Sequence, residues 1–120
     1  MVKPIVITAP CSTNAVSAKD LLEQDGSGYV KKFDGSGVPK GIALVDKDAS
    51  NNVPMMVLGI VDMPAAAATY NFGAVVEGNA TGVTAYSSGT RLGFATKTQI
   101  ISTTYSTTDT LQILFMPALA

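Results

Sequence analysis

The chain contains no histidine, no tryptophan and a single cysteine, Cys11. Without histidine, a serine or cysteine nucleophile lacks its usual general base, and zinc lacks its commonest nitrogen ligand. A lone cysteine can form neither an intrachain disulfide nor a cysteine cage around a metal. These absences indicate a structural or binding protein rather than an enzyme, and no metal or cofactor is expected.

Charge is also scarce. Charged residues make up 14% of the 120-residue chain, against about a quarter in an average globular domain. The net charge of −1 provides no electrostatic footprint for nucleic acid. Apolar residues make up 47% of the chain. A small domain with so few charged residues cannot readily cover its whole surface with polar groups. We therefore expect part of the surface to be covered by other protein.

Long apolar runs are missing as well. The first one, Ile5 to Ile7, has only three residues, which is too short for the core of a signal peptide. Nowhere does an apolar run reach the ~18 residues of a membrane-spanning helix. Synthesis in a reducing cytoplasm is the expectation, with no membrane partner.

Turn-forming residues divide most of the chain into short strands. Asp-Gly-Ser-Gly occurs at residues 25–28 and again at 34–37, and Asp-Gly pairs favour tight turns because glycine adopts positive φ at no steric cost. The predicted strands are residues 29–33, 38–45, 53–63, 72–76, 82–86, 91–96, 99–102 and 110–116. Short strands at this spacing predict an all-β domain, either a small β-barrel or a β-sandwich.

A β-rich pattern occurs twice, which indicates a weak internal duplication. The three echoed pairs are residues 28–33 with 73–77, 41–43 with 93–95, and 57–61 with 111–115. Four glycines fall inside or beside these segments: Gly41, Gly59, Gly73 and Gly93. A glycine weakens a strand, so we expect these positions to mark bulges or sharp bends, or else close backbone contact with a neighbouring subunit.

Residues 1–24 differ from the rest and predict an extended N-terminal arm, followed by a single β domain over residues 25–120. Ser17 to Asp20 has the spacing of a helix capping box, with Asp in place of the usual Glu, and it precedes Leu21 to Gln24. This pattern predicts either one short helical turn or a loose arm that becomes ordered only on contact with a partner.

The one segment that resembles a metal-binding motif is incomplete. Asp46-Lys47-Asp48 resembles the opening of a calcium-binding loop, but the sixth and twelfth positions hold Asn51 and Val57 where that loop needs Gly and Glu. A polar surface loop is the better interpretation.

The layout resembles the small decoration, or cement, proteins of tailed-bacteriophage capsids, a group that also includes head fibre proteins. The segments that carry the resemblance are residues 28–30, 39–44, 57–61, 72–76, 91–95 and 111–113. Their order and spacing carry the likeness, which covers residues from about 28 to 115.

The resemblance implies a compact β protein without catalytic activity that binds the capsid exterior and stabilises contacts between capsid subunits. It implies the major capsid protein as partner, a homo-oligomer that is most often a trimer, and a place in the virion after synthesis in the host cytoplasm. N-terminal segments of such proteins often reach along the shell. The capsid-contact residues expected on that basis are Val2, Lys3, Pro4, Ile5, Val6 and Ile7.

A head-fibre or tail-associated module that adheres to host surface glycans is the alternative function. Sugar binding needs exposed aromatic rings, since sugars stack on them. The candidates are Tyr29, Tyr70, Tyr86 and Tyr105.

Overall fold

A computed structural model describes residues 3–11, 15–35 and 37–117, and these are folded entirely as strands, turns and loops. The all-β fold class predicted from the sequence is confirmed. The strands are β1 (Ile5–Pro10), β2 (Leu21–Gln24), β3 (Val30–Lys32), β4 (Pro39–Ala43), β5 (Asn52–Pro64), β6 (Ala68–Tyr70), β7 (Val75–Asn79), β8 (Gly82–Ala85), β9 (Arg91–Ala95), β10 (Gln99–Ile101) and β11 (Thr110–Phe115).

Most of these strands join one curled antiparallel sheet, in the order β3-β2-β4-β5-β11-β9-β7-β8. The 13-residue strand β5 is its centre. Its first half pairs with β4 on one edge and with β1 on the other, and its second half pairs with β11. A separate two-stranded sheet joins β10 to β6.

Strand β5 divides the fold into two repeats of the same topology. Repeat 1 (residues 5–57) comprises β1, β2, β3, β4 and the first half of β5. Repeat 2 (residues 59–115) comprises the second half of β5, β7, β8, β9 and β11. In each repeat the first strand pairs with the last, the last with the fourth, the fourth with the second, and the second with the third.

The two repeats also share their register, including its irregularities. In repeat 1 a β-bulge follows the pair Leu22–Gly41, and in repeat 2 a bulge follows the corresponding pair Val76–Gly93. A parallel bridge joins Cys11 to Val30 in repeat 1, and its counterpart joins Ala65 to Val83 in repeat 2. In each repeat the bridge connects the residue just after the first strand to the third strand, so the sheet curls back on itself within that repeat.

The interior of each repeat is filled by side chains at the same positions. In repeat 1 the buried side chains are Ala9, Cys11, Val16, Leu22, Ala43, Val53 and Met55. The repeat 2 counterparts are Met63, Ala65, Tyr70, Val76, Ala95, Leu111 and Ile113, all of them buried. Equivalent registers and equivalent cores confirm the internal duplication.

Two of the three predicted echoes match segments that are not equivalent in the structure. Residues 41–43 and 93–95 do occupy equivalent places in β4 and β9. However, β11 matches residues 53–57 of β5 rather than 57–61, because Ala43 pairs with Met55 where Ala95 pairs with Ile113. Residues 73–77 match residues 19–23 rather than 28–33, since β7 is the counterpart of β2.

The N-terminal prediction needs correction too. Leu21–Gln24 is not a helix but strand β2, hydrogen-bonded to both β3 and β4, with Leu21 and Leu22 buried. Strand β1 is paired along β5, and its Ala9 lies in the core of repeat 1. The described part of residues 1–24 is therefore the first part of repeat 1 rather than an appended arm.

Candidate docking surfaces

The N-terminal strand β1 carries three consecutive exposed apolar side chains. Ile5, Val6 and Ile7 are 51%, 43% and 48% exposed, even though their backbones pair with β5. Lys3 and Pro4 are exposed as well. Of the capsid-contact residues expected from the resemblance, Val2 lies outside the described residues, and the other five form one exposed segment.

A second apolar surface crosses repeat 2. Ile60 pairs with Leu114, Leu114 with Phe94, and Phe94 with Val75. Directly opposed residues of antiparallel strands place their side chains on the same face, so these four form one continuous row across four strands. We call this set the repeat 2 row. Its ends, Ile60 and Val75, are 43% and 39% exposed, and Leu114 and Phe94 are partly exposed.

Repeat 1 has the same row in the same register. Val6 pairs with Met56, Met56 with Ile42, and Ile42 with Leu21. These four are the repeat 1 row. Apart from Val6 they are at most 4% exposed and belong to the core cluster that extends through repeat 2. Equivalent apolar rows are thus covered in one repeat and open in the other.

Repeat 2 covers the Leu21 end of the repeat 1 row at Gly78, beside Leu92. A Cβ placed on Gly78 would lie 2.6 Å from Leu21 Cδ1, 3.0 Å from Leu92 Cδ1 and 3.6 Å from Phe33 Cε2. The absence of a side chain at this position is what allows Leu21 to approach the β7 backbone so closely. The two repeats therefore meet through unlike faces, so their contact is head-to-tail.

A buried or partly buried glutamate stands at the same bulge in each repeat. In repeat 2, Oε1 of Glu77 accepts hydrogen bonds from the backbone N–H groups of Ser87, Ser88 and Gly89 and from the Ser87 hydroxyl. The bond from the Ser87 N–H is the main reason that the pKa of Glu77 is lowered; desolvation opposes it, and the other bonds add to it. The ionised carboxylate thus fixes the loop between β8 and β9.

We expect Glu77→Gln to lower the free energy of unfolding by about 1 kcal/mol at pH 7, since hydrogen bonds to a charged acceptor are stronger than neutral ones. A folded-state pKa below the unfolded value of ~4.3 contributes stability above that value and loses it as pH falls through the folded pKa. The difference between wild type and variant in urea unfolding should therefore shrink towards pH 3. A difference independent of pH would contradict this role, and Asp62→Asn, on the exposed face of β5, is the control.

The counterpart in repeat 1, Glu23, is 4% exposed. Its Oε1 lies 3.3 Å from Nζ of Lys31, and its Oε2 has no hydrogen-bond partner within the described part of the chain. The main cause of the raised pKa of Lys31 is its hydrogen bond to Glu23. Because Lys31 also approaches Asp34 at 3.7 Å, this cluster is an ion-pair network on the loop from β3 to β4.

One cleft, of about 360 Å³, lies between Gly37 and Val38 on one side and Ser88–Thr90 on the other. Glu77 is the one ionisable side chain among the described residues that line it, so it offers little chemistry. Within the described residues no group of three His, Cys, Asp or Glu side chains is placed to hold a metal ion. No helix of the described residues is long and apolar enough to cross a membrane.

Cys11 lies in the core of repeat 1 and is 3% exposed. Desolvation is the main reason that the pKa of its thiol is raised, with a smaller opposing effect of Lys47. A protonated, buried thiol is a poor nucleophile, so Cys11 contributes packing.

The four tyrosines proposed for glycan stacking do not form one surface. Tyr70 is buried, and its hydroxyl donates to the Ala66 carbonyl at 2.7 Å. Tyr105 is partly buried and bonds to Asn79. Tyr29 and Tyr86 are exposed, and the Arg91 guanidinium stacks over the Tyr86 ring at 4.8 Å.

Sequence reasoning identified the apolar character of β1 but missed the repeat 2 row. Its members come from four strands, and only the register places them side by side. The repeated Gly-x-Ala segments, residues 41–43 and 93–95, were the available signal, since they occupy equivalent places in β4 and β9. No family model, curated protein or solved structure matches the chain.

Proposed function

We propose that this chain is a non-enzymatic structural protein that binds the outer surface of a phage capsid and stabilises contacts between its subunits. The observation that carries the proposal is the run of exposed apolar side chains on β1, Ile5 to Ile7. Successive residues of a strand point to opposite faces, so Ile5 and Ile7 share one face of β1 and Val6 lies on the other. Exposed apolar side chains grouped in this way mark sites of protein–protein contact. The family resemblance supplies the identity of the partner, the major capsid protein.

The geometry of β1 suits attachment to a large surface. The strand is fixed along β5 and ends in the core at Ala9, so its exposed residues are already ordered and little conformational entropy is lost on binding. Burying apolar area contributes about 25 cal/mol per Å² before these costs. When several copies bind one shell, their attachment is reinforced by the high effective concentration of neighbouring sites.

The proposal is tested by co-sedimentation with empty shells assembled from the major capsid protein of the same genome, in expanded and unexpanded forms. We expect wild-type protein to pellet with at least one form. The double change Ile5→Glu and Ile7→Glu should weaken binding at least tenfold, because two charges would be buried against the shell. Ile100→Glu changes an equally apolar side chain that is 70% exposed on β10, and this control should bind like wild type.

Failure of wild-type protein to pellet with either form of shell would overturn the proposal. So would equal binding by the β1 double variant, since the contact would then lie elsewhere. Binding of the purified protein to a glycan array, without binding to shells, would favour the adhesion alternative and direct attention to Tyr29 and Tyr86.

A further inference from the structure

We propose that the repeat 2 row is covered by repeat 1 of a second copy of this chain, so that copies associate head-to-tail. The contact would repeat between molecules the one that joins the two repeats within a molecule. This inference goes beyond shell binding and does not depend on it, since the association needs no other protein. Ile7 belongs to both proposed surfaces, so the association is tested at Val75 and Gln24, which the shell-binding variants leave unchanged.

The first step is the internal contact, which shows how a row of this kind is covered. Leu21, at one end of the repeat 1 row, packs over Gly78 beside Leu92. In this contact the row belongs to repeat 1 and the receiving face to repeat 2. The receiving face of repeat 2 is therefore occupied, whereas the row of repeat 2 and the receiving face of repeat 1 remain open. A chain with two equivalent repeats joined in this way has one open row and one open receiving face.

The second step identifies the receiving face on repeat 1. The counterparts of Gly78 and Leu92 are Gln24 and Lys40, both at least partly exposed. The counterpart of Val61 is Ile7. Val61 is 7% exposed within the core cluster, whereas Ile7 is 48% exposed, so the apolar residue at this position is covered in repeat 2 and open in repeat 1.

The third step is a match of sizes across the proposed contact. Gln24 brings a side chain to the position where Gly78 has none, and such a Cβ would crowd Leu21. In the proposed contact between copies, Gln24 meets Val75, the counterpart of Leu21. The Val75 side chain is one carbon shorter than that of Leu21, which leaves room for the Gln24 side chain. Lys40 in place of Leu92 can lay its aliphatic stem along the row and keep its ammonium group in water.

The same contact repeated from copy to copy leaves no row open if the copies close into a ring. A twofold dimer in which two rows face one another would instead leave both receiving faces exposed. The proposal therefore predicts a specific pair of neighbours across the interface, Val75 of one copy and Gln24 of the next.

Cysteine cross-linking tests this pair. In a Cys11→Ala background, chosen because Ala65 holds the equivalent position in repeat 2, we compare the double variant Gln24→Cys with Val75→Cys and each single variant. A disulfide needs Cβ atoms about 3.5–4.5 Å apart. Leu21→Cys with Gly78→Cys, at the internal contact, is the positive control and should give an intrachain disulfide in the monomer band.

Under mild oxidation, the double variant should form covalent oligomers on non-reducing gels, and each single variant should remain monomeric. Light scattering of wild type should give a multiple of the 12.4 kDa chain mass, and Val75→Lys should shift it to a single chain with an unchanged circular dichroism spectrum. Covalent dimers from Val75→Cys alone would overturn the proposal by showing row-on-row contact. A wild-type mass of one chain at 100 µM, with no interchain bond in the double variant, would overturn it as well.

Discussion

Gly93→Ala is expected to prevent stable folding. Gly93 lies beside the bulge in β9 with φ of +146°, in the region that disfavours any residue with a Cβ. A Cβ at this position would overlap the carbonyl oxygen of Leu114 on the paired strand and approach the N–H of Met116. Because both neighbours are backbone, no side-chain rotation can relieve the clash, and we expect a loss of more than ~3 kcal/mol in the free energy of unfolding.

The matched control is Gly73→Asn. Gly73 also has positive φ, +84°, but nothing lies within 4 Å of its Cβ position. Its counterpart in repeat 1 is Lys19, a residue with a side chain and φ of +72°. The variant should therefore lose about 1 kcal/mol or less. Urea unfolding followed by circular dichroism makes the comparison, and a Gly93→Ala protein as stable as Gly73→Asn would contradict the close approach of β9 to β11.

Deletion of residues 1–11 is expected to unfold repeat 1. The deletion removes the whole of β1, which pairs with β5 from Ile5 to Pro10, and the buried side chains of Ala9 and Cys11. It also exposes one edge of β5 and the interior face around Val53. The loss of core packing and of the hydrogen bonds between β1 and β5 should lower the free energy of unfolding by more than ~3 kcal/mol. A loss of that size is enough to abolish cooperative folding of a small domain.

The β1 double variant of Ile5 and Ile7 is the control for this deletion, since it changes exposed side chains and leaves the strand in place. We expect it to keep the wild-type midpoint in urea within ~0.5 kcal/mol. If the truncated chain instead retains wild-type stability, β1 is an accessory arm and the assignment of residues 5–57 to one repeat is wrong.

Most of the strands were predictable because their signals are local. Glycine-rich and Asp-Gly turns separate apolar runs, so strands were predicted where β3, β4, β5, β8, β9, β10 and β11 lie. The predicted strand at residues 72–76 overlaps β7 only at Val75 and Val76. Strand β6 was missed because it has only three residues, Ala68 to Tyr70, and begins at the end of a run of four alanines, which favour helix by propensity. Its three residues are held by pairing with β10.

Strand β2 was missed for a different reason. Leu21 to Gln24 has good helix propensity and follows a sequence with capping-box spacing. In the structure the Asp20 carboxylate does accept from the Ser17 N–H at 2.9 Å, as a cap would. The following residues nevertheless extend, because Leu21 and Leu22 are buried on opposite faces of one strand, and tertiary packing overrides local propensity.

The extent of the duplication was hidden by weak identity between the repeats. Pro10 and Pro64 end equivalent strands, and Glu23 and Glu77 stand at equivalent bulges. An extra segment between β10 and β11 then breaks the constant spacing. The repeat 2 row could not be foreseen at all, since a row across four strands depends on the register of three pairings.

We propose that this protein acts by lying against other protein surfaces on a capsid. Quantitative mass spectrometry of purified particles, with the major capsid protein as internal standard, measures how many copies of the chain each particle carries. We expect hundreds of copies per particle, in fixed ratio to the capsid protein. Particles that lack the chain, or carry only a handful of copies, would contradict it.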